Sequence, residues 1–164
     1  MNALEERISN LKSEIEKAFA DTKYPGDNNL LYQEGYRDDS DILSFYGHTD
    51  WKKVPDKVLE YENAALCFFS PEAYQFYIPR FLIYVLENYD SEEIVVDNTL
   101  YSLIPENDDL RDFVISKFSK LTYQQKFVIV SFLNLLKNDL LDYFREEDVT
   151  EALAFWNQFI TNNY

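Results

Sequence analysis

Between Ser70 and Leu86 the chain reads SPEAYQFYIPRFLIYVL, and almost every side chain in it is apolar or aromatic. The wider stretch CFFSPEAYQFYIPRF, residues 67–81, holds six aromatic residues and only two charges, Glu72 and Arg80. Ser70 is a preferred helix N-cap, Pro71 suits the first helical position, and Glu72 then lies beside the positive end of the helix. A helix that is apolar all round has no face to give to water, so it has to be central and buried. Pro79 has no N–H to donate to the carbonyl of Gln75, so a kink or a break is expected just before it.

The rest of the chain supplies helices to surround that element. Glycine occurs only at 26, 35 and 47 in 164 residues, which argues against an architecture of many short strands with tight turns. Leu4, Ile8, Leu11, Ile15 and Phe19 form one narrow apolar stripe on an otherwise polar helix, and KYPGDNN then breaks it. DDSD offers N-caps for a short helix through Ile42, Leu43, Phe45 and Tyr46, ended by Gly47. VPDKVLEYENAALCFF reads as a helix starting near Pro55. Leu110, Phe113, Val114, Phe118 and Leu121 share one side of a further helix. Thr122 with Gln125 matches a capping box ahead of KFVIVSFLNLL, and Asp148 with Glu151 matches one ahead of a closing amphipathic helix over residues 148–164. EEIVVDNTLYSLIP is the only strand-like run, with residues 94–104 open between strand and helix. The expected fold is all-α: a compact single-domain helical bundle, residues 1–164, around a buried, proline-kinked central helix.

Charge is the strongest compositional signal, with 30 acidic against 15 basic residues and a formal net charge of −15. Such a surface repels nucleic acid and anionic lipid and favours a basic partner. Residues 87–112 carry nine acids against Arg111 alone, a net of −8, whereas residues 113–138 carry Lys117, Lys120, Lys126 and Lys137 and no acid. The N-terminus lacks the apolar run of a secretory signal, and no apolar run approaches the ~20 residues that span a bilayer. Cys67 is the single cysteine, which fits a reducing cytoplasm and permits no intramolecular disulfide.

Nothing in the sequence matches a nucleotide, zinc-protease or calcium-loop motif. With His48 the only histidine, a His-rich zinc site within the chain is excluded, and neither a metal nor a cofactor is expected. In GHTDW, His48 stands two residues from Asp50, where an acid–base couple or a surface turn residue are both open readings. Cys67 lies among Ala64, Ala65, Leu66, Phe68 and Phe69, so a buried, inert thiol is expected. On a straight helix Glu72 and Arg80 are about 12 Å apart in rise, too far for direct contact.

FFSPEAYQFYIPRFL resembles a bacterial family of unknown function whose members carry a core close to F-[LF]-S-P-E-A-[FY]-x-[FY]-[YF]-[LI]-P. Phe68, Ser70, Pro71, Glu72, Ala73, Tyr77 and Pro79 carry the likeness most specifically. DWKKVPDKVLEYENAALCFFSPEA upstream, KYPGDNN before it and FSKLTYQQKFVIVSFLNLL behind extend it over approximately residues 12–136. The resemblance implies a small, acidic, cytoplasmic, mostly helical bacterial protein, and it brings no activity, cofactor or catalytic residue.

Two functions are expected on these grounds. In the first, the chain is a non-catalytic acidic interaction module, for instance a toxin-neutralising immunity-type protein, that binds a basic protein through Glu92, Glu93, Asp97, Glu106, Asp108 and Asp109. In the alternative, it is an enzyme or small-ligand binder with a pocket beside residues 71–86, using His48, Glu72, Tyr74, Tyr77 and Arg80.

Overall fold

Ser70 starts the element around which the others are arranged. Its hydroxyl accepts a hydrogen bond from the Ala73 amide at 3.1 Å and donates to the Asn29 carbonyl at 2.7 Å. Pro71 then opens helix α5, Pro71–Asn88, in a computed structural model that describes residues 1–32 and 39–162. Twelve of its residues, from Ala73 to Leu86, are buried. Pro79 lies inside this helix, so the chain does not break there. A buried apolar side chain contributes about 1.5–3 kcal/mol, and twelve of them outweigh the ~3 kcal/mol that an interior proline costs.

Eight further helices accompany α5 among the described residues: α1 (Ala3–Ala18), α2 (Asp39–Tyr46), α3 (Asp56–Tyr61), α4 (Ala65–Phe68), α6 (Ile94–Tyr101), α7 (Arg111–Ser119), α8 (Tyr123–Asp139) and α9 (Glu146–Asn162). The fold is all-helical, and β pairing among the described residues is confined to one antiparallel bridge between Leu31 and Phe69. Helix α5 packs against α1, α4, α6 and α7, while α8 packs against α1 and α9. The two layers meet at Gln125. Its side chain completes the expected capping box with Thr122, donates to the Ala18 carbonyl and Thr22 hydroxyl, and accepts from the Gln75 amide at 2.9 Å. The N-terminal stripe docks as expected, with Leu11, Ile15 and Phe19 buried, and α1 begins with a capping box of its own, Asn2 with Glu5.

One open reading is decided and several expectations are corrected. Residues 94–101, open between strand and helix in the sequence, are helical: Val95, Val96, Thr99 and Leu100 are buried at helical spacing, and the Thr99 hydroxyl bonds back to the Val95 carbonyl at 2.7 Å. Burial on one helical stripe outweighs the β preference of the branched residues. The single helix expected from Pro55 to Phe69 is two, α3 and α4: the backbone leaves helical geometry at Glu62, φ −96° and ψ 54°, and the Asn63 carbonyl beyond it accepts from the Asn98 side chain of α6 at 3.1 Å. The closing helix begins at Glu146, which leaves Asp148 in its first turn rather than at the cap. Helix α2 ends at Tyr46 as expected, but the left-handed residue behind it is His48, at φ 57°, and not Gly47. Glycine is needed at 47 for another reason: a Cβ there would lie 2.5 Å from the Leu43 carbonyl oxygen. Asp38, in the DDSD run expected to cap α2, lies outside the described residues.

Candidate functional site

The five side chains expected to converge beside α5 are dispersed. Arg80 donates Nε to the Val54 carbonyl at 2.8 Å and pairs with Asp56, which ties α5 to the start of α3. Glu72 pairs at 3.0 Å with Lys120, which caps the C-terminus of α7, and that bond holds its carboxyl below the usual range. Tyr77 shares its hydroxyl proton between the carbonyls of Tyr46 and Thr49. His48 sits on the loop that Tyr77 anchors, and of the two open readings the couple with Asp50 does not form: His48 pairs with Asp27, while the Asp50 carboxylate caps the Lys52 amide. Tyr24 also bonds to Asp27 through its hydroxyl, and burial with this contact raises the phenol above its ordinary value. The His48 side chain is 84% exposed, so the Tyr24–Asp27–His48 cluster is a surface clasp between two loops with no enclosed space for a substrate.

Of the five, Tyr74 lines a cavity that the other four do not reach. That cavity has a volume of about 320 Å³ and lies between α4, α5, α7 and the chain around residues 101–110. Leu66, Phe68, Ile104, Phe113 and Val114 form much of its apolar wall, and Tyr32 stacks on Phe113 with ring centroids 3.6 Å apart. Its polar groups are Lys117, Cys67 and Ser102, with Glu106 and Asp108 at the edge. Cys67 is exposed here, correcting the expected burial: α4 is a single turn that points Ala65 and Leu66 inward and Cys67 out.

Lys117 is the least expected resident. It is 3% exposed, donates to the carbonyls of Leu66 at 2.8 Å and Cys67 at 3.2 Å, and lies 4.4 Å from the Phe113 ring centroid. The two carbonyls close the C-terminal turn of α4, where a cation is favourable. Desolvation still pulls its pKa down to about 8. Its spacing carries the signal: with Phe113, Val114 and Phe118 it falls on the inward side of α7, where a lysine has little solvent to reach.

The six expected docking acids are arranged differently. Glu92 and Glu93 precede α6, Asp97 lies in its first turn, and Glu106, Asp108 and Asp109 lie between α6 and α7. All six are exposed, and none forms an ion pair among the described residues. The neighbouring lysine block does not neutralise them. Lys117 is held by carbonyls, Lys120 by Glu72, Lys137 pairs with Glu146, and Lys126 lies 4.8 Å from the Phe159 ring. Arg111 donates to the Pro105 carbonyl at 2.7 Å. Exposed apolar residues stand among the acids: Ile94 at 61%, Tyr101 at 46% and Leu110 at 52%.

Among the described residues no helix is long and apolar enough to cross a membrane, and no group of three or more potential metal ligands occurs. Neither the curated proteins nor the solved structures contain a match to this chain. A family model does match, over residues 7–160, which takes in most of the closing helix as well as the central motif. The chain belongs to that family, the family of unknown function DUF6714.

Proposed function

We propose that the protein is a cytoplasmic, non-catalytic interaction module that docks a basic protein partner on the face formed by α6 and the segments flanking it. The observation that carries this reading is a pattern of charge and exposure. Six exposed carboxylates with no ion pair among the described residues are interspersed along residues 92–110 with three large exposed apolar side chains, Ile94, Tyr101 and Leu110. Interfaces combine apolar contact with a polar surround, and unpaired charge of one sign sets on-rate and orientation toward a partner of the other. A toxin-neutralising protein covering the phosphate-binding surface of a basic nuclease is the concrete version, because carboxylates can occupy sites built for phosphate.

The test is capture on immobilised protein at low salt, followed by measured affinity of the recovered cationic protein. Submicromolar binding that weakens with added salt is expected, together with a loss of about tenfold or more in the triple variant Glu106→Gln, Asp108→Asn, Asp109→Asn. An affinity unchanged by both salt and the triple variant overturns the reading. The alternative, a catalytic or ligand pocket built by His48, Glu72, Tyr74, Tyr77 and Arg80, loses support from their dispersal, since the cavity that Tyr74 lines holds none of the other four.

A further inference from the structure

Lys117 is a cation placed against an apolar cavity with no carboxylate beside it. An ammonium has three N–H donors, and the carbonyls of Leu66 and Cys67 take two. The third has no hydrogen-bond acceptor among the described residues. Ring faces at 4.4 Å and 5.5 Å, from Phe113 and Tyr74, favour the positive charge without cancelling it. A buried charge lacking a counter-ion is costly, and a ligand that brings one recovers that cost on binding.

We propose that this cavity binds a small aromatic carboxylate, with its ring among Leu66, Phe68, Ile104 and Phe113 and its carboxylate on the third donor of Lys117. The volume of about 320 Å³ is at the small end of ligand pockets, and the mostly apolar wall with few convergent polar groups is their usual character. Glu106 and Asp108 at the edge oppose an anion, but both are exposed and screened by water and salt, whereas Lys117 acts across a desolvated interior. The cavity shares its rim with the docking face, since Tyr101, Glu106, Asp108 and Leu110 line it, but Lys117 and Cys67 take no part in docking, and small probes on the isolated chain read the cavity alone.

Cys67 provides the readout, because it is the chain's single cysteine, is exposed and lines the same cavity. The rate of its modification by N-ethylmaleimide is measured against increasing 2-naphthoate and, separately, the neutral 2-naphthalenemethanol. The carboxylate is expected to slow the reaction at concentrations about tenfold or more below those the alcohol requires. In Lys117→Met that preference should collapse to within about threefold, and in Lys117→Arg it should persist. Equal potency of the two compounds on the native protein overturns the proposal, as does a lack of protection by either, or a preference that survives in a folded Lys117→Met. The comparison of the two probes on the native chain decides the matter even if that variant does not fold.

Discussion

The hydroxyl of Tyr77 donates to the carbonyl of Tyr46 at 2.5 Å, so the central helix holds the end of α2 through a single buried phenol. A second contact of 3.0 Å to the Thr49 carbonyl extends the hold across the loop that carries His48. The Tyr77 ring is fully buried against Tyr46, Phe69 and Phe76. Tyr77→Phe keeps the ring but removes the hydroxyl from both carbonyls, leaving the Tyr46 carbonyl only the Thr49 amide, and should cost about 1–3 kcal/mol in urea denaturation. Tyr77→Ala also empties the ring's place and should cost ~3 kcal/mol or more. An alanine variant near wild-type stability would show that the aromatic cluster is not the structural spine.

Ser70 carries two bonds at the start of the same helix, one within α5 and one to Asn29 on the segment leading out of α1. Loss of an N-cap hydroxyl usually costs about 1 kcal/mol, and here the Asn29 carbonyl loses its donor as well. Ser70→Ala should therefore lose about 1–2 kcal/mol by the same assay. A loss of a few tenths would mean that water replaces both bonds.

Much of this fold was legible because local signals and burial agree. Ser70-Pro71 opens a helix, Thr122 and Gln125 form the capping box, and the stripe ending at Ile15 and Phe19 is buried. Where they disagree, the sequence misleads. Val95, Val96 and Thr99 favour strand locally, yet α5 and α9 offer them a helical slot. The site was less legible for a different reason. Glu72 and Arg80 stand out in the sequence because they interrupt an apolar run, but the fold satisfies Arg80 with Asp56 and Glu72 with Lys120, partners 24 and 48 positions away along the chain. In the sequence Lys117 reads as one of four lysines in a basic block, although its spacing from Phe113, Val114 and Phe118 puts it on the inward side of α7.

Gly47 is a position where space, rather than backbone dihedral, demands glycine. Its amide donates to the Leu43 carbonyl at 2.9 Å, and a built Cβ falls 2.5 Å from that same oxygen. Backbone oxygen cannot swing aside as a side chain can, so Gly47→Ala must displace the last turn of α2 or the loop after it. The expected cost is about 1–3 kcal/mol, read as a lowered thermal midpoint. An unchanged midpoint would show that this turn adjusts freely. Gly26→Ala is a useful contrast, since its φ of 93° imposes strain although nothing crowds the position.

Lys117 makes stability depend on pH in a direction that can be worked out. Burial lowers its folded-state pKa to about 8, while in the unfolded chain it titrates near its ordinary value of about 10.4. Below about 8 both states hold the proton, and the cost of burying the charge is present in full. Between the two values the unfolded chain binds the proton and the folded chain does not, so stability rises with pH. Lys117→Met has no such group, and groups common to both proteins cancel in the difference between them. Wild-type stability minus that of Lys117→Met should therefore increase by about 2 kcal/mol between about pH 7 and 9.5. The window stops there because burial raises the pKa of Tyr46, Tyr74, Tyr77 and Tyr84, whose unfolded-state ionisation near pH ~10 pulls stability down. Urea midpoints of the two proteins across that range decide it. A difference that stays flat would mean that Lys117 keeps its solvent in the folded protein, and the cavity would lose its buried cation.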